Sequence, residues 1–141
     1  MTNLIEVKVE RLALGESTRE APIVLLREKS GGRVLPIVIG FVEAQSILIA
    51  LERVVSPRPL THDLIKNIVD TLNLKVDRVV INDLKNNTFY ARIILKREGE
   101  SVIYSIDARP SDSIAVALRC GAPIFVADFI FERAGEGNEP L

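Results

Sequence analysis

Ile106-Asp107-Ala108-Arg109-Pro110-Ser111-Asp112-Ser113-Ile114-Ala115-Val116-Ala117-Leu118 reads as a strand end, a tight corner and an almost wholly apolar helix. Proline suits the first helical turn, where its missing N–H costs nothing, and it drives Arg109 into an extended conformation just outside the helix. Asp107, Arg109 and Asp112 therefore crowd one corner beside a ring of unpaired helix N–H groups. That corner is the first place to look for chemistry.

The chain around it has 141 residues, enough for one domain that buries roughly 70% of its unfolded surface. Hydrophobic residues make up 48% of it and aromatics only 5%, so the core is built of Ile, Val and Leu. So apolar a composition in so small a chain points to surface covered by a second copy, and a homodimer is expected. A net charge of −1 and a pI near 5.9 exclude a global basic footprint for nucleic acid, so any such contact must be local. Cys120 is the single cysteine and cannot form an intramolecular disulfide. No apolar run approaches a membrane span, and a soluble cytoplasmic protein is expected.

Working outward, Ile5, Val7 and Val9 alternate with charged residues as in a half-buried strand, followed by a turn around Gly15-Glu16-Ser17. Pro22 to Glu28 and Arg33 to Ile39 read as two further strands. Gly40 then opens a helix with Ala44, Ile47, Leu48 and Leu51 on one face and Glu43 near its start. After Ser56-Pro57-Arg58-Pro59, Thr61 is the expected N-cap of a second helix with Leu64, Ile65, Ile68, Val69 and Leu72 as its buried stripe. Strands follow at Val76 to Leu84, Thr88 to Lys96 and Val102 to Asp107, with a turn at Lys85-Asn86-Asn87. The opening helix stops at Gly121, and a short strand runs from Pro123 to Val126. The fold class is α+β, with largely antiparallel mixed sheet and three main helices, in one domain over 1–133. The Gly- and Glu-rich tail, 134–141, is expected to be disordered.

A shift of 67 residues places Lys29, Gly32, Ile39, Ser46, Ile47, Ala50 and Leu51 on identical residues at Lys96, Gly99, Ile106, Ser113, Ile114, Ala117 and Leu118. This reads as a candidate duplication of a βββα unit, although shared apolar patterning explains part of it. The second corner carries the denser charge.

Two carboxylates with an open side can hold Mg²⁺ or Mn²⁺, which prefer oxygen ligands. Asp107 and Asp112 are such a pair on spacing, and Arg109 beside helix N–H groups suits a phosphate. The same spacing equally fits a salt-bridged helix start in which Asp112 complements the dipole. Arg58-Pro59-Leu60-Thr61-His62-Asp63 repeats the layout of an arginine before a proline with an aspartate one turn on. His62, the only histidine, could serve as a single acid or base, yet its spacing beside Ile65 and Val69 favours a partly buried structural role. Lys85, Arg92, Lys96 and Arg97 form a mildly basic zone near Phe89 and Tyr90. Phosphate loops, dinucleotide fingerprints, CxxC pairs and a Gly-x-Ser-x-Gly elbow are all absent from the sequence.

Several stretches, in order along most of the chain, together resemble the bifunctional nuclease family. They are Leu35-Pro36-Ile37-Val38-Ile39-Gly40, Glu43-Ala44, Arg58-Pro59-Leu60-Thr61-His62-Asp63-Leu64, Asn87-Thr88-Phe89-Tyr90-Ala91, Asp107-Ala108-Arg109-Pro110-Ser111-Asp112-Ser113-Ile114-Ala115 and Gly121-Ala122-Pro123-Ile124. The resemblance implies an α+β phosphodiesterase, often dimeric, that hydrolyses both DNA and RNA. Val38 stands where relatives often carry an aromatic ring, which weakens a stacking role there. On chemistry, Asp107 and Asp112 are then the candidate metal ligands for Mg²⁺ or Mn²⁺, and Arg58 and Arg109 the phosphate grips. His62 and Asp63 would assist proton transfer. The alternative is a non-enzymatic regulatory or anionic-ligand-binding domain.

Overall fold

The computed structural model describes residues 3–15 and 20–137, with side chains described as far as Ala134. The turn expected at Gly15-Glu16-Ser17 lies largely outside the described residues. One seven-stranded mixed sheet runs in the order β3-β2-β1-β7-β4-β5-β6. β1 (Leu4–Ala13), β2 (Ile23–Glu28) and β3 (Val34–Val38) form one antiparallel meander, and β4 (Lys75–Lys85), β5 (Thr88–Lys96) and β6 (Ile103–Ala108) form another. β7 (Ile124–Ala127) lies between them, antiparallel to β1 and parallel to β4. Each meander is followed by a helix, α1 (Phe41–Leu51) and α3 (Pro110–Cys120), so the two halves share an order of elements. The α+β class and the largely antiparallel sheet stand as the sequence implies.

The strand ends follow from local chemistry. Asn86 and Asn87 join β4 to β5 with φ of 51° and 62°, the left-handed pair that a two-residue hairpin turn requires. Gly121 ends α3 at φ 63°, and Arg109 precedes it in extended conformation, as Pro110 dictates. α3 is the central helix: Ile114, Ala115, Val116 and Ala117 are all fully buried against the sheet, with α1 and α2 (Thr61–Thr71) packed on it. Full burial of Ile114 and Val116 contributes about 1.5–3 kcal/mol each, and each alanine methyl roughly 0.8 kcal/mol.

Four expectations need correction. α2 begins after Leu60, because the Asp63 carboxylate accepts the Leu60 N–H, and Thr61 is its first helical residue. Its inward face is His62, Ile65 and Val69, whereas Leu64, Ile68 and Leu72 are about half exposed. Likewise Leu51 of α1 faces outward, and buried Ser46 takes part in the inner face instead. A fourth helix, α4 (Asp128–Gly137), adds to the three main helices expected, while 138–141 lie outside the described residues. α4 is held by buried Ile130 and Phe131, and by Arg33, which bridges Glu28 and Asp128 and stacks on Phe131 at 4.5 Å.

Among the described residues no helix is long and apolar enough to cross a membrane.

Candidate functional site

Three helices meet along a polar seam in an otherwise aliphatic layer. Ser46 on α1, His62 on α2 and Asp112 on α3 form a line: Ser46 Oγ lies 2.5 Å from His62 Nδ1, and His62 Nε2 lies 2.8 Å from Asp112 Oδ1. Ser46 and His62 are buried and Asp112 reaches the surface. From there Arg109 Nε donates to Asp112 Oδ2 at 2.8 Å, and Arg109 Nη1 approaches Glu43 Oε1 at 3.7 Å. Arg109 is itself 64% exposed, so the line runs from the helix seam to solvent.

Local sequence explains why these groups meet. Pro110 fixes the corner so that Asp112 falls in the first turn of α3, where the dipole favours its charge. Gly40 caps α1 without a side chain; a Cβ there would lie 2.1 Å from Glu43 Oε1, so glycine lets the Glu43 carboxylate fold back over the helix start. Burial raises the Asp112 carboxyl, but the hydrogen bonds from Arg109 and His62 outweigh it and hold the group below its ordinary range. Asp112 is therefore an ionised acceptor at neutral pH, which assigns a proton to His62 Nε2 and leaves Nδ1 facing the Ser46 hydroxyl. The Arg109 guanidinium is correspondingly raised by its bond to Asp112.

A second tie braces the seam. Arg119, nearly buried, donates from Nε to Asp63 Oδ1 at 2.8 Å, from Nη2 to the Ser46 carbonyl at 3.2 Å and from Nη1 to the Ala115 carbonyl at 3.0 Å. Asp63 Oδ2 accepts the Leu60 N–H at 2.9 Å. The Leu60 N–H and Arg119 hold the Asp63 carboxyl below its ordinary range against burial. Both oxygens of Asp63 are thus engaged in joining α2 to α3.

The structure therefore brings His62, Asp112 and Arg109 into one cluster, with Asp63 one tie removed, and leaves two expected residues apart. Asp107 sits exposed on β6, opposite Arg92 of β5, and among the described residues its side chain has no hydrogen bond or ion pair. The period of two along β6 separates it from the corner: Ala108 continues the inward face, and Asp107 turns to the other. Arg58 is exposed before α2 and also without a described partner. Asp112 has both carboxylate oxygens on His62 and Arg109, and among the described residues no group of three or more His, Cys, Asp or Glu side chains could hold a metal ion. The seam's oxygens face nitrogen donors, so the donor set fits an anion at Arg109 better than a cation at Asp112. Of the basic zone, Arg97 binds the Leu72 carbonyl and Glu100, and Lys85 sits over Tyr90.

Sequence reasoning missed Ser46, Glu43 and Arg119 as members of the site. Ser46 coincides with Ser113 under the 67-residue shift, and a polar residue on an otherwise apolar helix face was the available signal. Arg119 carried none, because its contacts are to elements distant in sequence.

An α+β domain whose central helix starts with an exposed arginine, backed by an aspartate–histidine pair, is the class that fold and site define. The model of the bifunctional nuclease domain matches residues 24–139, and the chain belongs to that family. An uncharacterized protein of Mycobacterium tuberculosis (strain ATCC 25618 / H37Rv) is 43% identical over 130 residues, covering 92% of this chain and 76% of that protein. Bifunctional nuclease 1 of Oryza sativa subsp. indica is 32% identical over 116 residues, covering 82% of this chain and 35% of the plant protein. Bifunctional nuclease 2 of Arabidopsis thaliana is 31% identical over 109 residues, covering 77% and 33%. The chain thus spans about a third of the length of its plant relatives.

Proposed function

We propose that this protein hydrolyses phosphodiester bonds of DNA and RNA at the Arg109–Asp112–His62 cluster. The observation that carries the reading is the position of Arg109, exposed and bonded to Asp112 Oδ2. A substrate phosphate draws the guanidinium into a bidentate pair of the kind arginine favours. That transfer frees Asp112 Oδ2 and removes the main influence lowering its pKa, so the carboxylate becomes a stronger base where water can approach. His62, on Oδ1, keeps the carboxylate oriented, and Ser46 keeps the ring in place. As water attacks phosphorus, its proton passes to Asp112, the ester P–O bond breaks, and Asp112 returns that proton to the departing sugar oxygen, so the products are a phosphate monoester and a hydroxyl end. Arg58 supplies a second exposed cation to the strand, and Asp63 positions α2 through Arg119.

The test is cleavage of single-stranded DNA and RNA by purified protein. Asp112→Asn should lower the rate about 10²-fold or more with the fold intact. Undiminished cleavage by that variant would assign the activity to a contaminant and overturn the reading. A second reading, an anionic-ligand-binding domain without turnover, is favoured by one observation: among the described residues no buried side-chain polar atom lacks a partner, so the seam is complete as a structural brace. Under that reading Asp112→Asn lowers stability and changes no rate.

We also propose that the chain pairs with a second copy. Tyr104 and Ile106 on edge strand β6 lie on the same sheet face as buried Leu95 and Ile93, yet both are 40% or more exposed. Arg97, at the Leu72 carbonyl, links this edge to α2, where Ile68 and Leu72 are also exposed. Sedimentation should give a dimer that Ile106→Lys dissociates.

A further inference from the structure

A groove runs along the outer side of β3 and meets the cluster at Arg109. Its first part, about 330 Å³, is lined by Pro36 and Val38 of β3, Leu84, Asn87 and Phe89 of the β4–β5 hairpin, and Arg133 of α4. Its second part, about 280 Å³, shares Val38, Asn87 and Phe89 and continues to Gly40, Arg109 and Ser111. From Pro36 through Val38, which both parts share, to Gly40, chain at the strand rise makes this wall about 13 Å long.

The lining fits an unpaired polynucleotide. Arg133 stands at one end, about half exposed, stacked on Phe129 at 4.7 Å and donating to the Leu84 carbonyl; Asp83 faces it at 3.5 Å. Arg109 stands at the other end with Glu43 and Asp112 as its carboxylate partners. Between the cations lies the half-buried Phe89 ring, whose partial burial fixes its position. Asn87 beside it is fixed by the left-handed hairpin turn. β3 is an edge strand, so among the described residues the backbone groups on its outer side have no strand partner and face the groove, where base edges can meet them. Cations spaced along a recess with an aromatic ring between them is the arrangement by which proteins hold single strands. A duplex keeps its base faces stacked inside and gains nothing from the ring.

We propose that this groove is a track for single-stranded nucleic acid, with a base on Phe89 and the backbone running from Arg133 to Arg109. The proposal rests on the reading that the chain acts on nucleic acid, and names the strandedness and path of the substrate. Binding of end-labelled single-stranded DNA and RNA oligonucleotides, followed by fluorescence anisotropy, tests it. Phe89→Leu, which keeps an apolar side chain against the core, should weaken binding about 5-fold or more. Arg133→Gln, at an exposed position, should weaken it and lower the salt slope by about 1. Duplex of the same sequence should bind more weakly than either strand. Binding by both variants equal to that of the native chain, no binding by the native chain, or equal affinity for duplex would each overturn the proposal. Cleavage measured on the same samples reads the hydrolytic function separately. Strand binding that depends on Phe89 without turnover supports the track and removes the hydrolysis; turnover indifferent to Phe89 and Arg133 does the reverse.

Discussion

His62 Nε2 and Asp112 Oδ1 lie 2.8 Å apart although fifty residues separate them, and this one contact joins the starts of α2 and α3. It turns two similar-looking Arg-Pro helix starts into a single site. It also makes Asp112 the residue on which both stability and the proposed chemistry depend.

Asp107 and Asp112 should behave differently when each is changed to asparagine. Asp107→Asn, at an exposed position with no described partner, should alter stability by no more than about 0.5 kcal/mol and leave cleavage unchanged. Asp112→Asn should lower both. Denaturant melts and rate measurements on the two variants decide this, and equal loss in both would restore Asp107 to the site.

Acid should destabilise the protein through Asp112 and Asp63. Both carboxyls are held below their ordinary range in the folded chain, so between the folded and unfolded pKa values the unfolded state binds more protons. Their stabilisation is present above the unfolded carboxylate range of about 4 and is lost as pH falls through the lower folded values. Urea midpoints measured from pH 6 down to pH 2 should fall less steeply in Asp112→Asn than in the native chain.

Arg119→Met should cost about 2–4 kcal/mol by calorimetry or urea denaturation. The change removes the nearly buried guanidinium, which takes the ion-pair donor from Asp63 Oδ1 and the side-chain donor from the Ser46 carbonyl. A loss below about 1 kcal/mol would mean that the seam's second tie is not structural.

Gly40→Ala should separate Glu43 from Arg109. The backbone at Gly40 is ordinary extended chain, so the conflict is between the new methyl and the flexible end of Glu43, which can swing away. Stability should change by about 1 kcal/mol or less, while release of Arg109 from Glu43 should strengthen binding of phosphate-bearing oligonucleotides. Weaker binding would show that Glu43 orients Arg109.

Chelation by EDTA should leave the thermal midpoint of the free protein unchanged, because among the described residues no set of side chains forms a metal cage. A fall of several degrees would reveal a structural metal.

How much of this was legible beforehand varies along the chain. The strand β1 and the start and stop of α3 followed from residues acting on their neighbours: the period-two alternation of Ile5, Val7 and Val9, Pro110 and Gly121. The α+β class followed from the same signals taken together. The face of α2 did not, because Leu64 and Ile68 are as apolar as Ile65 and Val69, and helical spacing alone gives a stripe wider than the one α3 covers. α4 was hidden by its glycine-rich end, and exists because Ile130 and Phe131 have a sheet to pack against. At the site, sequence alone determined that Arg109 precedes a helix with Asp112 in its first turn, since proline and the helix dipole act within a few residues. Tertiary structure alone decided that Asp112 faces His62, and that Ser46 and Arg119 complete the seam. Those contacts depend on how three helices dock on one sheet, which is set by the shared core and not by any local pattern.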